Sequence, residues 1–216
     1  MKVAIILSGC GVFDGAEIHE SVLTMLALSR AGAEIEFLAP DIPQAHVINH
    51  VTGEVMAGES RNVLVEAARI ARGKIKNIGS ANASDYDAVF FPGGFGAAKN
   101  LSDFAFKGAA CTVQSDVLNF AKAVAAAVIP ACYVCIAPAL LPLIYGQGVA
   151  LTIGDDAATA AAITSMGGQH LTCPVSDIVI DQERKVVSTP AYMLANSIAE
   201  AAVGIEKAVA STLALI

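Results

Sequence analysis

Short, continuous apolar runs recur along the chain, each followed by a segment typical of a helix. The first run is Val3–Leu7, and similar runs occupy 33–38, 88–91 and 131–134. A strand that is apolar without alternation indicates burial on both faces, as in a parallel sheet. The sequence therefore predicts an α/β fold: a doubly wound, mostly parallel sheet with helices on both faces.

The remaining elements follow from hydrophobic periodicity and from glycines that end helices. Helices are expected over 16–31, 61–70, 115–127, 138–144, 157–166 and 191–210, and a hairpin over 178–181 and 185–188. Residues 40–84 are less regular, and we interpret them as an insertion beside the main sheet. The length of 216 residues suits a single domain over 1–216.

Charge and composition exclude several classes of function. The chain has 13 Lys and Arg against 20 Asp and Glu, a net charge of −7, which argues against nucleic-acid binding. The longest uncharged stretch, between Lys122 and Asp155, is interrupted by prolines and glycines, so no membrane span is predicted. The apolar run at the N-terminus is too short for a signal peptide, and a cytoplasmic protein is expected.

In a doubly wound sheet, ligands bind beyond the carboxyl ends of the strands. Cys135 follows the strand 131–134 and precedes a helix that carries Pro138 in its first turn. A sharp turn from strand to helix exposes its central residue, and the helix N-terminus favours a thiolate. We therefore expect a lowered pKa for Cys135 and a nucleophilic role, against the alternative of an inert buried cysteine.

Two other strand ends carry candidate residues. Pro92-Gly93-Gly94 follows the strand 88–91, and glycine backbone N–H groups there are suited to an oxyanion hole. Glu17 opens the helix after the first strand, where an acid is also common for purely structural reasons. If its carboxyl reaches Cys135, the like charges would favour a protonated form that can shuttle a proton.

Other motifs are weaker. Cys132 and Cys135 form a CxxC, but Cys132 lies within the strand, so a disulfide is not expected. Five cysteines without a secretion signal suggest free thiols. His46 and His50 lack a third ligand, so no metal is expected. No phosphate-binding glycine motif supports a nucleotide, and we expect no cofactor. Whether Cys10 shares the cleft with Cys135 is left open.

Several segments together resemble the DJ-1/PfpI superfamily, and more closely its enhancing-lycopene-biosynthesis protein subgroup. The segments that carry this resemblance are Leu7–Glu20, Val47–Glu54, Phe91–Leu101, Val134–Ala139 and Thr189–Met193. The resemblance implies a flavodoxin-like sandwich, commonly a homodimer. It also implies Cys135 as nucleophile, Glu17 as its carboxyl partner, and backbone N–H groups near Gly94 and Ile136 as the oxyanion site.

The resemblance further implies a cofactor-independent glyoxalase that converts glyoxal to glycolate. In the expected mechanism, Cys135 adds to a small α-oxoaldehyde, Glu17 moves a proton between the two carbons, and water releases a 2-hydroxy acid. Proteases and amidotransferases of the superfamily carry a His directly after the Cys, where this chain has Ile136, so amide hydrolysis is not expected. The alternatives are a cysteine-based redox sensor, or a partner-binding regulator with incidental or protein-deglycase activity.

Overall fold

A seven-stranded sheet forms the centre of the computed structural model, which describes all 216 residues. The strands are β1 (Lys2–Ile6), β2 (Glu34–Ala39), β3 (Ile75–Asn77), β4 (Ala88–Phe91), β5 (Ala131–Val134), β8 (Val179–Asp181) and β9 (Val186–Thr189). Their order is β3-β2-β1-β4-β5-β9-β8, and every neighbouring pair is parallel except β8 and β9. A separate two-stranded sheet pairs β6 (Ala150–Leu151) with β7 (Gln169–His170).

Eight helices surround these sheets. They are α1 (Ile18–Arg30), α2 (Val63–Ile70), α3 (Phe95–Lys99), α4 (Phe104–Lys107), α5 (Ser115–Ala126), α6 (Leu141–Tyr145), α7 (Ala157–Ser165) and α8 (Ile198–Leu213). Short 3₁₀ turns at 137–140 and 191–193 precede α6 and α8. None of the helices combines the length and the apolarity that a membrane crossing needs.

The central sheet has a hydrophobic core on each face. In β1, Val3 and Ile5 belong to one buried cluster, whereas Ala4 and Ile6 belong to the other. Successive side chains of a strand point to opposite faces, so this division shows that helices cover both sides of β1. The doubly wound, mostly parallel fold expected from the continuous apolar runs is confirmed.

Most predicted elements are observed within two residues of their expected bounds, including the antiparallel hairpin of β8 and β9. The prediction for the last helix is wrong at its start. Ala191–Met193 form a 3₁₀ turn instead, and α8 begins only after Ser197, whose side chain caps it by accepting the Glu200 N–H. Short helices α3 and α4 were not predicted. Residues 40–84 include helix α2 and the strand β3, which forms one edge of the main sheet. The irregular stretch lies between 40 and 62.

Candidate active site

Three loops meet at the carboxyl edge of the sheet, where β1, β4 and β5 lie side by side. From β1 the chain continues to β2 and β3 on one side, and it then crosses back to β4 on the other side of β1. The strand order therefore reverses between β1 and β4, which makes their carboxyl ends the topological switch point of the sheet. The loops after Leu7, Phe91 and Val134 all end there. The fold therefore brings together the three segments that the sequence marked as candidate sites.

Cys135 lies on a strained turn directly after β5. Its φ of +63° is in the left-handed region, which non-glycine residues rarely adopt. The turn is held in place because the Cys135 N–H donates to the Thr189 carbonyl of β9 at 2.9 Å. Strain that persists in this way is concentrated at functional sites, and it is the geometry of a nucleophile on a strand-to-helix elbow.

The Cys135 sulfur faces two backbone donors and one carboxyl group. The N–H groups of Gly94 and Ile136 lie beside it and act to lower the pKa of the thiol. The carboxyl group is that of Glu20, which lies next to the thiol. The three groups come from three different loops or helices, so only the folded chain assembles them.

Glu20 is completely buried and held from both sides. Its Oε2 accepts the Gly93 N–H at 2.9 Å, and its Oε1 accepts the Tyr192 N–H at 3.2 Å. The positive φ of Ala191, at +42°, belongs to the turn that presents the Tyr192 N–H. A buried carboxyl with a fixed partner on each oxygen keeps a single orientation. A fixed orientation is what a group needs in order to exchange protons with a neighbouring thiol.

Glu17 has a different task from the one predicted. It is the N-cap of α1, and its Oε2 accepts the Glu20 N–H at 2.7 Å. Its side chain lines the same cavity as Cys135. The carboxyl next to the thiol is instead that of Glu20, one helical turn further along the chain. Glu17 stands at the N-cap, and a carboxylate at that position is directed to the free N–H groups of the first turn.

Gly93 also differs from its expected role. It was expected in the oxyanion and substrate-binding group, but its N–H is engaged by Glu20 and it does not line the cavity. Its lack of a side chain serves close packing. A Cβ at this position would lie 2.5 Å from the Cys135 Cβ and 2.7 Å from the Glu20 Oε2. Gly93 therefore lets the thiol and its carboxyl partner approach each other.

Burial controls the ionisation of the pair. Desolvation, together with the charge of Glu17, raises the pKa of Glu20 from 4.5 to about 8. Desolvation and the charge of Glu20 raise the pKa of Cys135 well above its ordinary value. The expectation of a lowered pKa for Cys135 is therefore wrong, because it considered the helix start and left out the buried carboxyl beside the sulfur.

The thiol opens into a cavity of about 450 Å³. Nine of the thirteen lining residues are apolar, and they include Phe95, Phe104, Ile136 and Met193. The polar side chains of the wall are those of Glu17, Asp156 and Thr159, and Tyr192, which is one of the nine, carries a hydroxyl group. The Tyr192 hydroxyl is 2.8 Å from the Nδ1 of His19, which anchors this side of the wall to α1. A small organic molecule can thus reach Cys135 from a mostly apolar cleft.

The other singled-out residues lie outside this cavity. Cys10 is half-buried and does not line it, and Cys132 is buried against Thr212. All five cysteines are free thiols, as the sequence predicts. His46 packs edge-on against Phe106. The Nε2 of His50 accepts the Phe13 N–H, and no group of three His, Cys, Asp or Glu side chains could hold a metal ion.

The sequence contains a feature that points to Glu20, although hydrophobic periodicity alone would place this residue on the exposed face of α1. In α1 the buried side chains include Glu20, Thr24 and Leu28, whereas the apolar Ile18 and Val22 are exposed. Apolar residues at helical spacing predict the opposite orientation of this helix. An acid aligned with Leu28 on one face of α1 is the feature that would have identified Glu20 as a buried functional carboxyl.

Comparisons with known proteins agree with this geometry. The rat ES1 protein homolog, mitochondrial, and the human glutamine amidotransferase-like class 1 domain-containing protein 3, mitochondrial, are each 48% identical over 201 residues, covering 89% of this chain and 75% of theirs. A solved isoprenoid biosynthesis protein with an amidotransferase-like domain from Ehrlichia chaffeensis is 35% identical, with a TM-score of 0.93 over 100% of this chain and 99% of that one. No protein-family model matches the chain.

The chain belongs to the family of the ES1 proteins. With more distant solved structures, a DJ-1/PfpI-like protein among them, it shares the fold. Candida albicans glyoxalase III superposes with a TM-score of 0.63 at 14% identity over 98% of this chain and 97% of that one, and Drosophila DJ-1beta with 0.55 at 15% over 99% of this chain and 94% of that one. These two likenesses concern the fold alone.

The comparisons correct the expected location. The rat and human relatives are named as mitochondrial proteins, and so is the zebrafish ES1 protein, 32% identical over 208 residues, which cover 89% of this chain and 77% of that protein. The expectation that the protein is cytoplasmic is therefore wrong. It rested on the lack of a recognisable leader, and such a lack does not determine a compartment.

Proposed function

We propose that this protein converts α-oxoaldehydes, glyoxal among them, to 2-hydroxy acids without a cofactor, with Cys135 as the nucleophile. One observation carries the proposal. The Cys135 sulfur lies beside the N–H groups of Gly94 and Ile136 and the buried carboxyl of Glu20, and it borders a mostly apolar cavity. This arrangement joins a nucleophile, a proton acceptor and two donors for a developing oxyanion.

In the first step, the sulfur adds to the aldehyde carbon while the thiol proton passes to the Glu20 carboxylate. The aldehyde oxygen becomes an oxyanion, which the backbone donors at Gly94 and Ile136 are placed to stabilise. Protonation of that oxygen by Glu20 completes a hemithioacetal and restores the carboxylate. A raised pKa near 8 suits a carboxyl that both accepts and returns a proton near neutral pH.

In the second step, Glu20 removes the proton from the carbon bonded to sulfur, and the electron pair forms an enediolate with the neighbouring carbonyl. The hydroxyl proton of the hemithioacetal passes to the oxygen of that carbonyl, and Glu20 returns its own proton to the neighbouring carbon while the carbon bonded to sulfur becomes a carbonyl. The product is a thioester of a 2-hydroxy acid, and the step involves no net oxidation. Water then hydrolyses the thioester, which releases the acid and regenerates the thiol. The sequence assigned the proton transfer to Glu17, but Glu20 is the carboxyl that lies next to the sulfur. Glu17 remains in the proposal as a carboxyl on the cavity wall.

Amide hydrolysis is a poorer fit to the site. A leaving amine needs a proton from a positioned acid, usually a His next to the nucleophile. Ile136 follows Cys135, and His19 is bonded to the Tyr192 hydroxyl on the far side of the cavity wall. Addition to an aldehyde has no leaving group, so the donors that surround Cys135 are sufficient for it.

The experiment is glycolate production from glyoxal, without glutathione, in an amine-free buffer. The wild type is compared with Cys135→Ser, Glu20→Gln and, as a control thiol outside the cavity, Cys10→Ser. We expect turnover in the wild type and in Cys10→Ser, and its loss in the other two variants. Absence of turnover in the wild type, or turnover that survives Cys135→Ser, would overturn the proposal.

A second candidate is a cysteine-based oxidation sensor. The same donors around Cys135 would stabilise the oxygens of an oxidised sulfur. In this case, peroxide would oxidise Cys135 rapidly and to completion while aldehyde turnover stays negligible. Mass spectrometry of the Cys135 peptide after peroxide treatment, run beside the glyoxal assay, separates the two candidates.

The expected homodimer also remains a proposal. In α1 the side chains of Ile18, Val22 and Leu26 are 42%, 46% and 41% exposed and share one face of the helix. An exposed apolar row of this kind is typical of a protein interface. Light scattering after size exclusion tests it: we expect a dimer for the wild type and a monomer for Val22→Asp. A monomeric wild type at micromolar concentration would contradict the proposal.

A further inference from the structure

The cavity beside Cys135 is larger than glyoxal requires. Its volume of about 450 Å³ lies within the range of pockets that hold drug-sized molecules. Glyoxal, the smallest α-oxoaldehyde, would leave most of this space to water. A larger substrate would fill it and gain binding energy from the buried surface.

The apolar part of the cavity wall is suited to an apolar group. Phe95 of α3 and Phe104 of α4 line it together with Ile136 and Met193. An aromatic or branched aliphatic body would contact these side chains while its aldehyde reaches the sulfur. Aromatic rings packed against each other add to the energy of area burial.

The charges of the wall are negative only. Glu17 and Asp156 line the cavity, and no Lys or Arg does. Hydrogen bonds from Thr159 lower the pKa of Asp156, so it is ionised at neutral pH. The ammonium of Lys99 lies 5.0 Å from the Phe95 ring centroid and donates to the Phe13 carbonyl at 3.0 Å. A carboxylate or phosphate on the substrate would therefore face two acids without a paired cation.

From these observations we infer that the site selects α-oxoaldehydes with an apolar body larger than that of glyoxal and without negative charge, of which an aryl glyoxal is the simplest example. The inference rests on the proposed function, since it names the substrate class for the same nucleophile. It excludes α-oxoaldehydes that carry a carboxylate or a phosphate.

The first test compares kcat/KM for glyoxal, phenylglyoxal and 4-carboxyphenylglyoxal by measuring the 2-hydroxy acid formed from each. We expect phenylglyoxal to exceed glyoxal about 10-fold or more, the size of effect that added apolar contact brings. We expect the carboxylated compound to fall about 10-fold below phenylglyoxal because of the wall carboxylates. Equal values for the aromatic pair would overturn the charge argument, and a preference for glyoxal would overturn the size argument.

Two variants tie these preferences to the cavity. Ala105 is exposed on α4 and lines the cavity, so Ala105→Trp should lower the ratio of phenylglyoxal to glyoxal kcat/KM about 10-fold. Ala126→Trp, at an exposed position of α5 outside the cavity, is the control and should leave the ratio unchanged. Asp156→Asn keeps an N-cap for α7 and should raise the relative use of 4-carboxyphenylglyoxal. Ratios unmoved by both cavity variants would overturn the inference.

Alkylation of Cys135 tests the inference even if no aldehyde is turned over. Phenacyl bromide, 4-carboxyphenacyl bromide and iodoacetamide are compared by the rate at which the Cys135 peptide is modified, each rate divided by that for glutathione. We expect phenacyl bromide to have the highest normalised rate and the carboxylated reagent to have a lower one. This order without turnover would reject the proposed function alone, whereas equal normalised rates would reject the inference.

Discussion

The carboxyl of Glu20 and the thiol of Cys135 lie next to each other, and both groups are buried. Since desolvation raises the pKa of each, the pair resists carrying two negative charges. The Gly94 and Ile136 N–H groups can stabilise one charge on the sulfur. Proton exchange between the two residues therefore requires little change in total charge, which is favourable for acid–base chemistry in an apolar environment.

The first prediction separates the two carboxyls of α1. Glu20→Gln should lower kcat for glyoxal by about 10²–10⁴-fold, the usual contribution of a general acid–base group. Glu17→Gln should lower it by much less, because Glu17 caps the helix and does not hydrogen-bond the sulfur. Steady-state kinetics on both variants tests this difference, with thermal unfolding as the control for folding. A greater loss in Glu17→Gln would return the proton transfer to Glu17.

The second prediction concerns the pH dependence of kcat/KM. Glu20 accepts the thiol proton only as a carboxylate, and its pKa is raised to about 8. Activity in the wild type should therefore rise as the pH approaches 8 and level off above it. In Glu20→Gln this inflection should disappear, and any residual rise should occur at higher pH, where the Cys135 thiol itself ionises. A pH profile that is the same in both proteins would contradict the assignment.

The third prediction links the same carboxyl to stability. Glu20 has a folded-state pKa of about 8 against an ordinary value of 4.5, so between these values the folded state binds the extra proton. The stabilisation that the buried Glu20 carboxyl contributes is fully present below pH 4.5, and it is lost as the pH rises to 8. The wild type should thus lose up to about 1 kcal/mol per pH unit more than Glu20→Gln in this window.

Urea unfolding at several pH values measures this difference. The comparison uses slopes rather than absolute stabilities, because Gln cannot accept from both the Gly93 and the Tyr192 N–H groups. That lost hydrogen bond shifts the variant at every pH by a similar amount. Parallel stability curves for the two proteins would show that the pKa of Glu20 is not raised in the folded state.

Sequence patterns were sufficient for the fold because it depends on many residues at once. The buried strands from Val3, Ala88 and Ala131 are apolar throughout, and no single position decides them. Cys135 could also be found, since the strand before it ends in Val134 and Pro138 follows. Its φ of +63° and the donors around its sulfur depend on contacts with distant segments, which no local pattern contains.

The choice between Glu17 and Glu20 shows where local rules fail. An acid at the start of a helix satisfies the free N–H groups, and this rule describes what Glu17 does. The rule for amphipathic helices predicts that Ile18 is buried and Glu20 exposed, and both predictions are wrong. The site orients α1 so that its polar side faces Cys135, at the expense of local preference, as is common at functional sites.

The fourth prediction concerns the close approach at Gly94. Its φ is +90°, and a Cβ there would lie 2.5 Å from the Gly15 carbonyl oxygen. Gly94→Ala therefore combines backbone strain with a clash against a main chain that cannot move away. We expect a loss of about 3 kcal/mol in the free energy of unfolding. We also expect kcat to fall by about 10–10³-fold, because the Gly94 N–H would move away from the sulfur.

Gly58 provides the matched control for this substitution. It has a similar φ of +83°, but a Cβ there would meet nothing within 4 Å. Gly58→Ala should therefore cost only about 1 kcal/mol from backbone conformation, with kcat unchanged. Denaturant unfolding and glyoxal turnover of the two variants separate conformational strain from steric crowding. If both alanines cost the same stability and leave kcat intact, then Gly94 contributes a turn and no donor to the site.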